Sequence, residues 1–147
     1  MEDTLKIYLD NCCFNRPFDD QTQLKIHVES EAKLEIQSQI RNGKYDLVWS
    51  YILEYENKMN PFELRKESII KWKKIAKEHI IENNEIIAYA ENLQRYGIKP
   101  KDALHISCAR YAKCKYFITT DRLLLNKNVK GIKILIHYNL LLKKKTI

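Results

Sequence analysis

The chain has 147 residues, of which 45% are hydrophobic and 10% aromatic, and its 26 basic against 19 acidic residues leave a net charge of +7. This length fits a single domain, residues 1–147, able to bury a core without staples, and the composition excludes a disordered chain. Only three glycines and three prolines argue against a many-turned β sandwich or barrel, no apolar run is long enough for a membrane span, and the excess of positive charge favours polyanionic partners, nucleic acid first.

Taken in chain order, residues 5–9 form a short apolar run that reads as a buried first strand, stopped by Asp10 and Asn11. A polar loop with Arg16 and Pro17 follows. Residues 22–40 suit a helix, with Val28, Ala32, Ile36 and Ile40 repeating at i+4, and Gly43 stands where a helix C-terminal glycine belongs. Residues 45–49 read as a second strand. Ser50 then serves as N-cap of a helix that carries Glu54 just over one turn inside. Asn60-Pro61-Phe62-Glu63 combines a capping residue, an N1 proline and an N3 glutamate, and predicts another helix start. That helix carries Trp72 among lysines, with an apolar face that suits the core better than a dimer contact.

Asn83 or Asn84 opens a further helix that ends before Gly97, and Lys99-Pro100-Lys101-Asp102 opens one running to about Lys113. The latter is apolar nearly all round, which predicts burial. Residues 116–119 read as a strand ended by Thr120-Asp121, residues 123–125 as a short helix, and residues 132–136 as a last strand. Short, apolar, non-alternating strands separated by helices predict an α/β fold whose parallel sheet is covered on both faces. Cys12, Cys13, Cys108 and Cys114 form no CxxC pair and no zinc spacing, and no signal peptide is visible, so a cytoplasmic location with reduced thiols is expected. Cys12 and Cys13 read as small buried hydrophobes.

Four acids carry the functional argument. Asp10 and Asp121 both follow strands, and ligands of open parallel sheets bind outside the strands' carboxyl ends. Glu54 follows the second strand, with Glu56 as its competitor, and Asp102 stands at the mouth of the buried helix. Each alone has an ordinary structural reading as a cap or a surface acid. Carboxylates gathered in one crevice repel one another unless cations neutralise them, and all-oxygen ligands suit Mg²⁺ or Mn²⁺ rather than zinc. Such ions hold phosphodiesters and activate water. Thr119 and Thr120 are placed to support Asp121, Arg16 to meet phosphate, and His105 reads as a hydrogen-bonded core histidine.

The segments YLDNCCFNRPF, SYILEYE, KDALHISCA and FITTDRLL, spanning residues 7–125, resemble in order and spacing the motif blocks of PIN-domain ribonucleases. The resemblance implies a three-layer α/β/α sandwich with a central parallel sheet, and an acidic quartet falling on Asp10, Glu54, Asp102 and Asp121. It further implies a Mg²⁺-dependent endoribonuclease, with many small members being toxins of type II toxin–antitoxin systems silenced by an antitoxin, and often homodimers. The residue after Asp10, commonly a small hydroxyl residue in the family, is here Asn11, whose amide can still orient a carboxylate or a water. The alternatives are a DNA nuclease on the same fold and a non-catalytic nucleic-acid or partner-binding module. A phospho-acceptor domain fits poorly, because Asp10 lacks an acidic neighbour and Asp121 comes too late in the chain.

Overall fold

The computed structural model describes residues 4–15 and 24–143. Five strands, β1 (Leu5–Leu9), β2 (Tyr45–Ser50), β3 (Glu78–Ile80), β4 (Tyr116–Ile118) and β5 (Lys133–Leu135), form one sheet in the order β3-β2-β1-β4-β5, and every pairing is parallel. Between and after them run α1 (Cys12–Asn15), α2 (Leu24–Arg41), α3 (Tyr51–Lys58), α4 (Glu63–Ile75), α5 (Asn84–Gln94), α6 (Pro100–Tyr111), α7 (Arg122–Leu125) and α8 (His137–Lys143).

Consecutive strand residues point to opposite faces, yet Ile7, Tyr8 and Leu9 are all buried. Both faces of β1 are therefore covered, as its unbroken apolar run requires. Tyr8 and its in-register neighbours Val48 and Phe117 share one face, and the Tyr8 hydroxyl reaches His105 of α6. Leu9, Trp49 and Ile118 share the other. There Leu9 and Ile118 border a small void with Lys33 and Ile36 of α2 and His137 of α8, while Phe14 of α1 packs edge-on against Trp49 and leans on Trp72 of α4. The result is the expected three-layer α/β/α fold with a central parallel sheet. Trp72 belongs to the core at 4% exposure, with the Arg41 guanidinium 4.6 Å above its ring.

The elements follow local chemistry. Gly43, at φ +80°, closes α2 in the left-handed conformation that side chains resist. Ser50 accepts the Leu53 N–H and Asn83 the Ile86 N–H, so both expected caps are in place. Three differences from the sequence reading stand out. Strand β3 was not expected, because Glu-His-Ile at a sheet edge has no apolar run to betray it. Helix α4 begins at Glu63 rather than at Pro61: the Asn60 side chain accepts the Phe62 N–H at 3.1 Å and turns the chain before the helix starts. Past β5 the chain continues into α8, which buries Leu140. Among the described residues, no helix is long and apolar enough to cross a membrane.

The strand order decides where a ligand fits. From β1 the chain steps to β2 and β3 on one side, then returns to place β4 on the other. The crossovers on the two sides of β1 run in opposite directions, leaving a crevice outside the carboxyl ends of β1 and β4.

Candidate functional site

Asp10 leaves the end of β1, and its own N–H continues the sheet by donating to the Ile118 carbonyl at 2.9 Å. Asp10 is 8% exposed, and its carboxylate is held from two sides. The Asn11 N–H donates to Oδ1 and the Thr119 hydroxyl donates to Oδ2, both at 2.8 Å. Thr119 also accepts the Asp121 N–H at 3.0 Å, so one fully buried hydroxyl ties the ends of β1 and β4 together. Asp121 caps α7 by accepting the Leu123 N–H.

Asp102 lies in the first turn of α6, half-buried. Burial raises its pKa, and the negative charges of Asp10 and Asp121 raise it further against the pull of His105 and Lys99. Three of the four expected acids thus stand within electrostatic reach of one another at the switch between β1 and β4.

Glu54 does not join them. Its Oε2 accepts from the Trp49 indole at 3.0 Å and pairs with Lys73 at 3.2 Å, tying α3 to α4. Glu56 occupies the other side of α3. Its Oε1 accepts from His105 Nε2, and its charge, with those of Asp10 and Asp102, acts on that imidazole. At about 100° per residue, two positions along a helix amount to roughly opposite faces. The available signal was Ile52, one turn before Glu56 and buried, which marks the face turned toward α6.

His105 is 1% exposed and bonded at both nitrogens, as the sequence reading held. Its Nδ1 meets the Tyr8 hydroxyl at 2.6 Å, and Tyr8 meets Ser50 Oγ at 2.6 Å. An ionised carboxylate can only accept, so Nε2 carries a proton whichever charge the ring holds. Burial works to lower the His105 pKa, but the Glu56 hydrogen bond and the surrounding carboxylates prevail and raise it.

Of the supporting residues, Asn11 holds Asp10 through its backbone rather than its amide. Its Oδ1 is buried without a hydrogen-bond partner among the described residues. Thr120 donates to Cys12 Sγ at 3.2 Å, and Cys12 lies 3.7 Å from Asp10 Oδ2. Half-buried Cys12 is therefore part of the crevice wall, whereas Cys13 is the buried hydrophobe expected. Arg16 lies outside the described residues.

The donor chemistry fits a hard divalent cation: Asp10, Asp102, Asp121 and Glu56 offer only oxygen, with the unpaired Asn11 Oδ1 beside them. The side chains do not yet converge on a point, and among the described residues no three His, Cys, Asp or Glu are grouped closely enough to enclose a metal. Asp10 and Asp121 rest instead on backbone and hydroxyl donors, and Glu56 on the His105 imidazole.

No family model matches the chain, and no curated protein is significantly similar to it in sequence. Its fold does have counterparts among solved structures. The structure of VapBC2 from Rickettsia felis, bound to a DNA fragment from their promoter, superposes with a TM-score of 0.53 over 88% of this chain and 97% of that one, at 13% identity. At that identity the likeness is one of fold.

Proposed function

We propose that the protein is a divalent-cation-dependent nuclease that hydrolyses RNA phosphodiester bonds, with Asp10, Asp102, Asp121 and Glu56 as its acidic ligands. The observation that carries this reading is the nearness of Asp10, Asp102 and Asp121 outside the ends of β1 and β4, where burial and then the charges of the other two disfavour the ionised form of Asp102. Within the fold His105 and Lys99 offset this only in part, and a bound cation would remove the rest. Mg²⁺ or Mn²⁺ at this place supplies charge neutralisation for the phosphate and Lewis acidity at phosphorus. The chain does the positioning: Thr119 and the Asn11 N–H orient Asp10, α7 orients Asp121, and His105 orients Glu56. Glu56 replaces Glu54 in this assignment because Glu54 is engaged with Trp49 and Lys73. RNA as the substrate rests on the net charge of +7 and on the motif resemblance.

The same resemblance supports a toxin restrained by a cognate antitoxin, and one structural counterpart is VapBC2, bound to a DNA fragment from its promoter. An arginine or lysine of such a partner would pair with the acids in place of the cation. A homodimer remains part of the proposal through family likeness alone.

The deciding experiment assays the purified protein on RNA and DNA side by side, with Mg²⁺ and with chelator. RNA cleavage that needs Mg²⁺ and falls by about a hundredfold or more in Asp10→Asn and Asp121→Asn is the expected result. Undiminished cleavage in either variant overturns the assignment.

A further inference from the structure

Glu56 and Asn11 also border a second feature, the rest of whose lining the cleavage chemistry does not use. A groove of about 320 Å³ runs from Asn11 and Glu56 to Met59, Asn60, Phe62 and Arg65. Met59 and Phe62 are 67% and 55% exposed. Phe62 is no loose end: Asn60 holds its N–H, and the Arg65 guanidinium, one turn on in α4, lies 4.6 Å from its ring centroid. The chain thus presents a large apolar ring to solvent in the same groove as Asn11 and Glu56.

We propose that this groove is a base-binding subsite for the nucleotide next to the scissile phosphate of a single-stranded nucleic acid. The inference rests on the reading of the acidic crevice as a phosphodiester-cleaving centre. Its inner end borders the Glu56 carboxylate, which repels a phosphate but can accept from the amino edge of a base lying beside the acids. Its outer end offers an aromatic face, on which any base stacks, and a guanidinium, which suits both a base plane and a backbone phosphate. A base has this combination of apolar face, donor edge and attached anion. Because the Asn11 N–H holds Asp10 while its side chain lines the groove, strand and crevice are continuous. A duplex keeps its bases stacked inside and has none to place against Phe62, so the subsite selects single strands.

The test measures binding of the full chain, in chelator so that nothing is cleaved, to a short labelled oligoribonucleotide and to an abasic oligomer of equal length and charge. Wild type is expected to favour the base-bearing strand. Phe62→Ala, at an exposed position that leaves the core intact, is expected to lose about ten- to a hundredfold in affinity for it, the scale of one stacked base, with no change on the abasic oligomer. Phe62→Tyr keeps a stacking face and should restore binding. Three results overturn the subsite: no preference for the base-bearing strand, unchanged binding in Phe62→Ala, or a Phe62→Ala defect confined to association with a partner protein. If one of these accompanies loss of cleavage in Asp10→Asn, the subsite falls and the nuclease stands. Undiminished cleavage in Asp10→Asn removes both.

Discussion

Thr119 and Asp10 stand 109 residues apart in the chain, and the hydroxyl of the first donates to Oδ2 of the second at 2.8 Å. Thr119→Val keeps the shape and removes the donor. The buried Asp10 carboxylate then loses a charge-assisted hydrogen bond, and the Asp121 N–H loses its acceptor. A loss of about 1–3 kcal/mol is expected, which for a chain of this size lowers the melting temperature by about 3–10 °C. Thr119→Ser should recover most of it, and calorimetry of the three proteins is the check.

Glu54 and Glu56 separate cleanly. Glu56→Gln should abolish metal-dependent cleavage, because it removes a charge from the crevice. Glu54→Gln should leave cleavage within about twofold of wild type and cost no more than about 1 kcal/mol, since the amide oxygen can still accept from the Trp49 indole and the lost ion partner, Lys73, is a surface cation. Reversed outcomes would restore Glu54 to the site.

The Tyr8–His105 contact predicts an effect without loss of fold. Tyr8→Phe fills the same space but leaves His105 Nδ1 and Ser50 each one partner short, at a cost of about 1–2 kcal/mol. The imidazole that holds Glu56 is then less firmly oriented. A rise in the Mg²⁺ concentration needed for half-maximal cleavage is expected, and a metal titration reads it. A purely structural role would lower the melting temperature and leave that concentration unchanged.

Asp102 carries the pH dependence. Its folded pKa is raised, by burial first and then by Asp10 and Asp121, so the folded chain holds this proton more tightly than the unfolded one. For a carboxylate shifted in this direction the cost to stability is absent below the unfolded pKa, appears as pH rises through the folded value, and is full at neutral pH. In chelator at neutral pH, Asp102→Asn should therefore melt about 1–3 °C above wild type, with the difference vanishing in acid. Mg²⁺ should raise the melting temperature of wild type more than that of the variant. Scanning fluorimetry against pH and Mg²⁺ tests both signs.

Cys12 should be the thiol that reacts first. The hydrogen bond with Cys13 lowers its pKa to about 7, helped by Thr120 and Lys33 and opposed by burial and Asp10. Burial pushes Cys108 and Cys114 up to about 12, and Cys13, paired with Cys12 and buried, lies well above its ordinary value. Brief alkylation near neutral pH should modify Cys12 alone, by peptide mass analysis, and block the crevice it lines. Cys12→Ser should resist inactivation.

Much of this architecture was legible in the chain. The solid apolar runs of β1, β2 and β4 announced a two-sided parallel sheet, and Ser50 and Asn83 announced helix starts, because each depends on chemistry within a few residues. Asp10 and Asp121 were found as residues ending apolar runs. What was hidden depended on distant partners. Strand β3 forms because the edge of β2 offers it hydrogen bonds, with Val48 facing Glu78. The different surroundings of Glu54 and Glu56 were not legible, because only the packing of α3 on α4 and α6 gives Glu54 its Trp49 and Lys73 partners and Glu56 its His105. The groove at Phe62 was invisible because α4 begins two residues later than its Pro61 suggested.

The position of β4 has a consequence for the order of synthesis. A ribosome has made β1, β2, β3 and the acids Asp10, Glu56 and Asp102 before it makes β4, yet the place for β4 lies against the very first strand. Until then the Asp10 carboxylate has no Thr119 to hold it, and Asp121 does not exist. The crevice is therefore complete only once β4 lies against β1, and whatever activity it bears cannot precede that pairing.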